Sequence, residues 1–279
     1  MNNFIELPNF SIGDDLPLGH FDLHSRFERV VNFVDSSNRI IFLSTLPEVI
    51  SANGFFVKDI DLSSVHSIDI KEESIFFDKH EILKVQLTVY DSSFDYQNAN
   101  AVSFEYNLFQ CIAKNAHLFP EKSMAFLLFP EREKYFSSGF DFHFMKNAKT
   151  GVEKIIGKEM LDGIRMIKGT GTGLTPAGDD FIAGLLLGLH YLEIIHKTDL
   201  SELRSKIYEE THSGNLLVNS FLKNAWHGKH FFALKKLLYL LVQNYACDQA
   251  LSRVLSYGAT SGGDLLSGYV FAIKHRVGL

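Results

Sequence analysis

The hydrophobic pattern of this chain changes once along its length, and that change separates two kinds of structure. Between residues 27 and 90, short apolar runs rich in β-branched and aromatic residues alternate with turn residues, which is typical of strands. From Val152 onward, apolar residues recur every three to four positions, which is typical of amphipathic helices. We therefore predict an α+β fold with an N-terminal β-rich domain and an all-α C-terminal bundle.

The β-rich domain is predicted to be a small sheet or a barrel-like structure with one helix, over residues 1–140. Its predicted strands cover residues 29–34, 39–44, 54–60, 65–71, 83–90 and 124–129, and its helix covers residues 97–116. In the run 83–90, apolar and polar residues alternate as a half-buried strand requires.

The helical domain is predicted over residues 150–279. The segment 130–151 is charged and aromatic with no clear period, so we place the domain boundary there. Predicted helices cover residues 152–167, 181–195, 200–211, 214–227, 230–244, 247–256 and 264–275. Gly184 and Gly188 lie four residues apart on the second of these, which predicts close approach of another helix.

Composition and charge exclude several classes of partner. The chain has 27 Lys and Arg against 33 Asp and Glu, with no basic tract that would follow a phosphodiester backbone, so nucleic acid is not an expected partner. The longest apolar run, residues 181–195, contains His190 and Glu193 and is shorter than the roughly 20 residues of a membrane span.

Location is predicted from the N-terminus and the cysteines. No charged segment followed by an apolar run opens the sequence, so we expect a cytoplasmic protein. Cys111 and Cys247 are too few for a disulfide scaffold and lack the spacing of a zinc site, which favours a reducing compartment.

The segment 169–184, GTGTGLTPAGDDFIAG, carries the strongest local signal. Glycines such as Gly171 and Gly173 permit positive φ, which turns consecutive amides toward an anion. Pro176 suits the first turn of the next helix and Thr175 the N-cap position. Helix-start amides carry partial positive charge, so the sequence predicts an anion site here.

A related sequence, GATSGGD at residues 258–264, repeats the Gly, Thr, Gly and Asp of residues 173–179 at a distance of 85 residues. If the two helix starts face each other, they present two sets of amides and three carboxylates around one cavity. Glycines that only turn the chain, and aspartates that only complement a helix dipole, explain one such loop but not its recurrence. The predicted catalytic carboxylates are Asp179, Asp180 and Asp264, and the predicted ligand-binding residues are Gly171, Thr172, Gly173, Thr175, Gly178, Thr260, Ser261, Gly262 and Gly263.

Two further groups are candidate ligand contacts. Thr211, Ser213 and Asn215 lie at a predicted helix junction, where they either cap a helix or bind a ligand. His24 and Ser25 precede the first strand and either reach into an interdomain cleft or form an exposed pair. None of the histidines has the paired spacing of a zinc site.

Three motifs together resemble one bacterial family. HSxFxRVxNF at residues 24–33, GTGLTPAGDD and TSGGDLLSG resemble a domain of unknown function whose members include the AllH-type subunit of oxamate carbamoyltransferase, from allantoin degradation. The resemblance extends from about residue 20 to residue 275, and GLTPAGDD is its most specific part.

The resemblance implies a subunit of a carbamoyl-transferring assembly. It implies an FdrA-like partner related to acyl-CoA synthetases, a third subunit, and exchange of carbamoyl groups between oxamate-type amides and phosphate. Asp179, Asp180 or Asp264 would then orient the carbamoyl NH2 or hold Mg²⁺. The arginine-rich motif of ornithine and aspartate carbamoyltransferases is missing, so such an activity would use other groups.

Two alternatives remain open at this point. The carboxylates also suit a Mg²⁺-dependent hydrolase of a phosphate- or ribosyl-containing metabolite. The helical domain also suits a non-catalytic scaffold or ligand-sensing subunit that docks a partner. The sequence identifies no certain cofactor but is compatible with Mg²⁺, and it is also compatible with homo-oligomerisation.

Overall fold

The computed structural model describes residues 7–97 and 99–279, and it confirms the α+β class. A curled nine-stranded sheet is followed by a helical region. Contacts between residues divide the chain into a sheet unit, which ends at Ser93 and includes Lys229–Lys236, and a helical unit of Phe94–Gly228 and Leu237–Leu279.

The sheet unit has strands in the order β8-β7-β6-β2-β3-β4-β5-β1-β9. Their bounds are β1 Phe10–Gly13, β2 Gly19–Arg26, β3 Val30–Val34, β4 Ile40–Ser44, β5 Gly54–Val57, β6 Ser67–Ile70, β7 Ser74–Phe77, β8 His80–Leu83 and β9 Thr88–Tyr90. Neighbours are antiparallel except for the pairs β4–β5 and β1–β9, which are parallel. Alternate residues such as Val31, Phe33, Ile41 and Leu43 are fully buried and build the core of this unit.

Two predicted strands are wrong. The run 83–90 is interrupted by a 3-10 helix at Lys84–Gln86, closed by a hydrogen bond from the Leu87 amide to the Lys84 carbonyl. The Val85 side chain is 89% exposed, so the alternating apolar residues of this run do not form a buried face. The run 124–129 is also not a strand, because Met124–Leu127 form a 3-10 helix.

The helical unit contains α1 to α6, α8, α9 and part of α7. Their bounds are α1 Ala101–Lys114, α2 Gly139–Ile156, α3 Met160–Ile167, α4 Ala177–His196, α5 Ser201–Thr211, α6 Leu216–Trp226, α7 Phe232–Val242, α8 Asp248–Leu255 and α9 Ser261–Lys274. No helix among the described residues is both long and apolar enough to cross a membrane.

The region of the predicted domain boundary is itself helical. α2 begins within it, because Ser138 and Asp141 form a capping box that satisfies the first amides of the helix. The predicted helix 152–167 is two helices, since α2 ends at Ile156 and Lys158 has a φ of 69°. Contacts thus divide the chain at Ser93, earlier than the 140–150 boundary that the sequence pattern suggested.

Cys111 of α1 forms a disulfide with Cys247, the residue before α8. The side chain of Asp248 reinforces the connection by accepting hydrogen bonds from Asn115 at 2.7 Å and from Lys114 at 2.8 Å. Disulfides are rare in reducing compartments, so the pairing is at odds with the expected reducing environment.

Helices α4 and α9 pack in parallel against each other. A Cβ on Gly184 would lie 1.8 Å from the carbonyl oxygen of Leu265, and a Cβ on Gly268 would lie 1.9 Å from that of Phe181. Only glycine permits this approach of two backbones, and it confirms the predicted close packing of the Gly184 helix. Because the helices run in the same direction, they begin at the same end of the unit.

Candidate functional site

The glycine loop before α4 has the predicted backbone conformation. Gly169, Gly171 and Gly173 have φ values of 68°, 99° and 108°. The Gly169 amide donates to Oδ1 of Asp179 at 2.9 Å, which fixes the start of the loop. Thr172 and Gly173 are exposed, and their amides donate to no acceptor in the described part of the chain. These two amides are open to a ligand or to water.

Thr175 does not cap α4. Pro176 occupies the N-cap position, because its fixed ring torsion suits the residue that leads into the first turn. The hydroxyl of Thr175 instead lies 3.1 Å from Oδ2 of Asp180 and 3.1 Å from the hydroxyl of Ser261. Ser261 is the first residue of α9, so one threonine connects the starts of both helices.

The two helix starts are structurally equivalent at an offset of 84 residues, not 85. Thr260 is the N-cap of α9 as Pro176 is of α4. Two residues later, a Cβ on Gly178 would lie 1.9 Å from the Ile167 carbonyl oxygen, and one on Gly262 would lie 1.9 Å from that of Val254. Each helix start thus presses a glycine against the end of the preceding helix. The later pair Gly184 and Gly268 obeys the same offset.

This equivalence changes which aspartates correspond. The sequence repeat aligns Asp179 with Asp264, whereas Asp180 and Asp264 each lie four residues after their N-cap. Both side chains are fully buried. Oδ1 of Asp264 accepts a hydrogen bond from the Met124 amide at 2.5 Å. Oδ2 of Asp264 and Oδ1 of Asp180 have no hydrogen-bond partner in the described part of the chain.

Burial controls the electrostatics of this pair. Desolvation raises the pKa of Asp264 to about 7, against the hydrogen bonds from Met124 and Thr260 that favour its ionised form. Burial, with the nearby charge of Asp264, raises the pKa of Asp180 well above its ordinary value. Hydrogen bonds from Ser261 and Thr175 oppose that rise. Both carboxyls therefore bind a proton more readily than an exposed aspartate does.

Asp179 makes different contacts from Asp180 and Asp264. Burial raises its pKa, while the Gly169 amide and the charge of Lys168 lower it. Its carboxylate accepts a hydrogen bond from the Gly169 amide at the base of the glycine loop, a contact that neither Asp180 nor Asp264 makes. Across residues 7–97 and 99–279, no group of three His, Cys, Asp or Glu side chains is placed to hold a metal ion.

Comparison with protein families finds a match in this part of the chain. Residues 167–273, less than half of the chain, match the family model described as oxamate carbamoyltransferase subunit AllH. This region is AllH-like. The match contains both glycine motifs and all of α4, confirms the resemblance predicted from them, and supports a carbamoyltransferase-associated subunit. Comparisons with curated proteins and with solved structures found no match.

Asn215 lies beside the glycine loop of the AllH-like region. It caps α6 by accepting from the amides of Leu217 and Val218, and its Nδ2 donates to the Leu174 carbonyl at 2.7 Å. The hydroxyl of Ser213 accepts from the Asn215 amide at 3.2 Å.

Thr211, the third member of that group, is buried, and its hydroxyl donates to the Tyr208 carbonyl. Ser213 and Asn215 thus support the start of α6 and the glycine loop, whereas Thr211 bonds within α5. Their role in ligand binding stays a prediction.

His24 and Ser25 belong to β2 of the sheet unit, outside the AllH-like region. Nδ1 of His24 lies 3.1 Å from the Ser25 hydroxyl, which accepts from Nδ2 of Asn32 at 3.1 Å. The early motif thus connects neighbouring strands through its His, Ser and Asn. Its proposed contribution to a ligand site stays a prediction.

Three neighbours of the site were missed at the sequence level. The Met124 amide reaches Asp264, and Ser123 before an apolar run was the signal of a helical start that the strand prediction overlooked. Burial, with the nearby charge of Asp180, raises the pKa of Tyr257. Lys168 lies at the base of the loop and donates to the Glu210 carbonyl at 2.6 Å. No motif distinguishes these residues, because tertiary packing brings them to the site.

Proposed function

We propose that this chain is a subunit of a carbamoyl-transferring assembly of the oxamate carbamoyltransferase type. We further propose that it binds a small anionic metabolite, such as carbamoyl phosphate, phosphate or oxamate, where α4 and α9 begin. The 3.1 Å contact between the hydroxyls of Thr175 and Ser261 carries this proposal, because it joins the two glycine motifs at one place. The family match over residues 167–273 supports the type of assembly.

The charges around the glycine loop favour an anion at its exposed side. The amides of Thr172 and Gly173 are free to donate, and the starts of α4 and α9 add the positive ends of two helix dipoles. Lys168 adds a full positive charge close enough to lower the pKa of Asp179. Such fixed donors stabilise charge that develops on a transferred group without reorganising.

The partners of the assembly follow from the family resemblance. We propose an FdrA-like subunit and a third subunit, with carbamoyl exchange between oxamate-type amides and phosphate as the reaction of the whole. We also propose a cytoplasmic location for the assembly, although the disulfide at Cys111 is unusual there.

Reconstitution tests the proposal. The chain, combined with both partner subunits, oxalurate and phosphate, is expected to yield carbamoyl phosphate. Thr175→Val replaces a hydroxyl by a methyl group and is expected to lower the rate, while Thr198→Val, on an exposed loop, is the matched control. No product with all three subunits present, or the same rate without this chain, contradicts the proposal.

A Mg²⁺-dependent hydrolase is the second candidate. It is favoured by the two carboxylate oxygens of Asp180 and Asp264 that lack partners, because hard cations prefer such oxygens. Calorimetry with MgCl2 separates the candidates. Mg²⁺ binding that disappears in Asp180→Asn supports the hydrolase, and heats that are the same in wild type and variant eliminate it.

A further inference from the structure

We propose that Asp180 and Asp264 form a two-acceptor site for the NH2 group of a terminal carboxamide, which makes the chain select carbamoyl compounds over the corresponding carboxylates. The inference deepens the proposed function and rests on it for the identity of the ligands. It assigns these two residues as the specificity determinants of the site.

Asp180 and Asp264 each have a buried carboxylate oxygen that lacks a hydrogen-bond donor among the described residues. Polar atoms that are removed from water cost free energy unless they find a hydrogen-bond partner. Oδ1 of Asp180 and Oδ2 of Asp264 are both buried, and the described part of the chain supplies no donor to either. The other oxygen of each side chain is occupied, by Thr175 and by the Met124 amide respectively. Each aspartate therefore has one buried acceptor oxygen that lacks a donor in the part of the chain that the structure describes.

Because the two aspartates hold equivalent positions, a ligand group with two N–H donors suits them best. Asp180 and Asp264 hold the same position in two parallel helices that pack through equivalent glycines, so they offer equivalent acceptors from two sides. A primary amide nitrogen carries two N–H groups that diverge in one plane, and each can serve one aspartate. Oδ2 of Asp180 accepts from the Thr175 hydroxyl and Oδ1 of Asp264 accepts from the Met124 amide, so the two remaining oxygens serve as acceptors only while they carry no proton.

The surroundings orient the rest of the ligand. The open amides of Thr172 and Gly173 belong to the same loop as Thr175, whose hydroxyl contacts Asp180. A ligand with its NH2 between the aspartates therefore directs its anionic end toward the amides. Oxamate has both groups. Oxalate has a second carboxylate in place of the amide and would bring a further negative charge against the buried pair, which is unfavourable.

Calorimetry on the purified full-length chain tests the inference, with oxamate and oxalate as probes. Wild type is expected to bind oxamate at least 10-fold more tightly than oxalate. Asp180→Asn and Asp264→Asn each replace an acceptor oxygen by a donor, and each is expected to weaken oxamate at least 10-fold and bring the ratio close to 1. Asp162→Asn, at an exposed aspartate that pairs with Arg165, is the matched control and is expected to keep the wild-type ratio.

Several outcomes overturn the inference. These are oxalate binding as tight as oxamate, no binding of either ion, a ratio that both variants leave unchanged, or Mg²⁺ binding that both variants abolish. Thermal unfolding of each variant checks that the fold is retained. Turnover of the reconstituted assembly is measured separately, so carbamoyl phosphate formation without oxamate preference refutes only this inference, and oxamate preference without turnover refutes only the proposed function.

Discussion

Gly188 of α4 faces Ala272 of α9, and a Cβ on the glycine would lie 2.6 Å from the Cβ of the alanine. The two residues hold equivalent positions, twelve residues after Pro176 and Thr260 respectively. At this point the helices therefore pack a glycine against a methyl group, whereas nearer their starts they pack glycine against backbone.

We expect Gly188→Ala to lower the free energy of unfolding by about 1–3 kcal/mol, because an added methyl overpacks this contact. The loss occurs even though alanine is the better helix former by roughly 1 kcal/mol. The double variant Gly188→Ala/Ala272→Gly moves the methyl from one helix to its equivalent, and it is expected to recover part of the loss. Recovery is partial because the new methyl also approaches the Tyr269 carbonyl oxygen.

Urea unfolding of the purified chain measures both variants. Gly139→Ala is the control, since a Cβ at that helical position meets nothing within 4 Å. Equal stabilities of Gly188→Ala and wild type would contradict the packing described for α4 and α9.

Asp264→Asn is expected to make the protein more stable at neutral and alkaline pH. The folded-state pKa of Asp264 is raised by burial to about 7, from an ordinary value of 3.8. The folded state therefore binds the proton more tightly than the unfolded state, and this group's stabilising effect is lost as pH rises from about 4 to about 7. The loss is on the order of 4 kcal/mol.

Thermal unfolding between pH 4 and pH 8 is the measurement. Wild type should lose stability across this range more steeply than Asp264→Asn, which no longer titrates at this position. Asp162→Asn, at an exposed aspartate, should follow the wild-type curve. Parallel curves for wild type and Asp264→Asn would show that the carboxyl is not buried as described.

Asn215→Ala should loosen the glycine loop. The side chain caps α6 and also donates to the Leu174 carbonyl, so its removal costs about 1 kcal/mol of helix capping and frees the loop. Asn100→Ala removes an equivalent cap from α1 with no loop contact and is the matched control.

Hydrogen exchange distinguishes the two effects. Amides of residues 171–175 should exchange faster in Asn215→Ala and at the wild-type rate in Asn100→Ala. Unchanged exchange in both variants would mean that Asn215 acts on α6 alone.

Reduction should destabilise the helical unit. The disulfide between Cys111 and Cys247 closes a loop of 136 residues, so its loss is expected to cost about 2–5 kcal/mol. The midpoint of thermal unfolding should fall when dithiothreitol is added, and the double variant Cys111→Ser/Cys247→Ser should not respond to it. Alkylation of both thiols in the native, unreduced protein, detected by mass spectrometry, would contradict the pairing.

The sequence predicted the α+β class, the helical C-terminal half and the close packing of the Gly184 helix, because hydrophobic period and glycine spacing are local signals. It failed where the decisive contact is distant. Residues 124–127 form a 3-10 helix rather than a strand, and the amide of Met124 is held by Asp264, which is 140 residues away in the chain. The strand over 83–90 failed because alternation alone does not require that one face be buried.

The sequence repeat is one residue out of register with the two helix starts. Matching letters paired Asp179 with Asp264, but the backbone pairs Asp180 with Asp264, since α4 begins one residue later relative to the repeat. Adjacent residues of a helix point about 100° apart, so only one of two neighbouring aspartates can face α9. Only the start of each helix, which the repeat does not reveal, decides which one does.

The chain segments that lead into the two equivalent helix starts differ in length. Ile167 precedes Gly178 by 11 residues, whereas Val254 precedes Gly262 by only 8, so the first connection is the longer and carries the exposed amides. A perfectly twofold binding site would accept a molecule in two opposite poses. Here the extra residues on one side break that degeneracy, so the two poses of a bound ligand would differ in free energy.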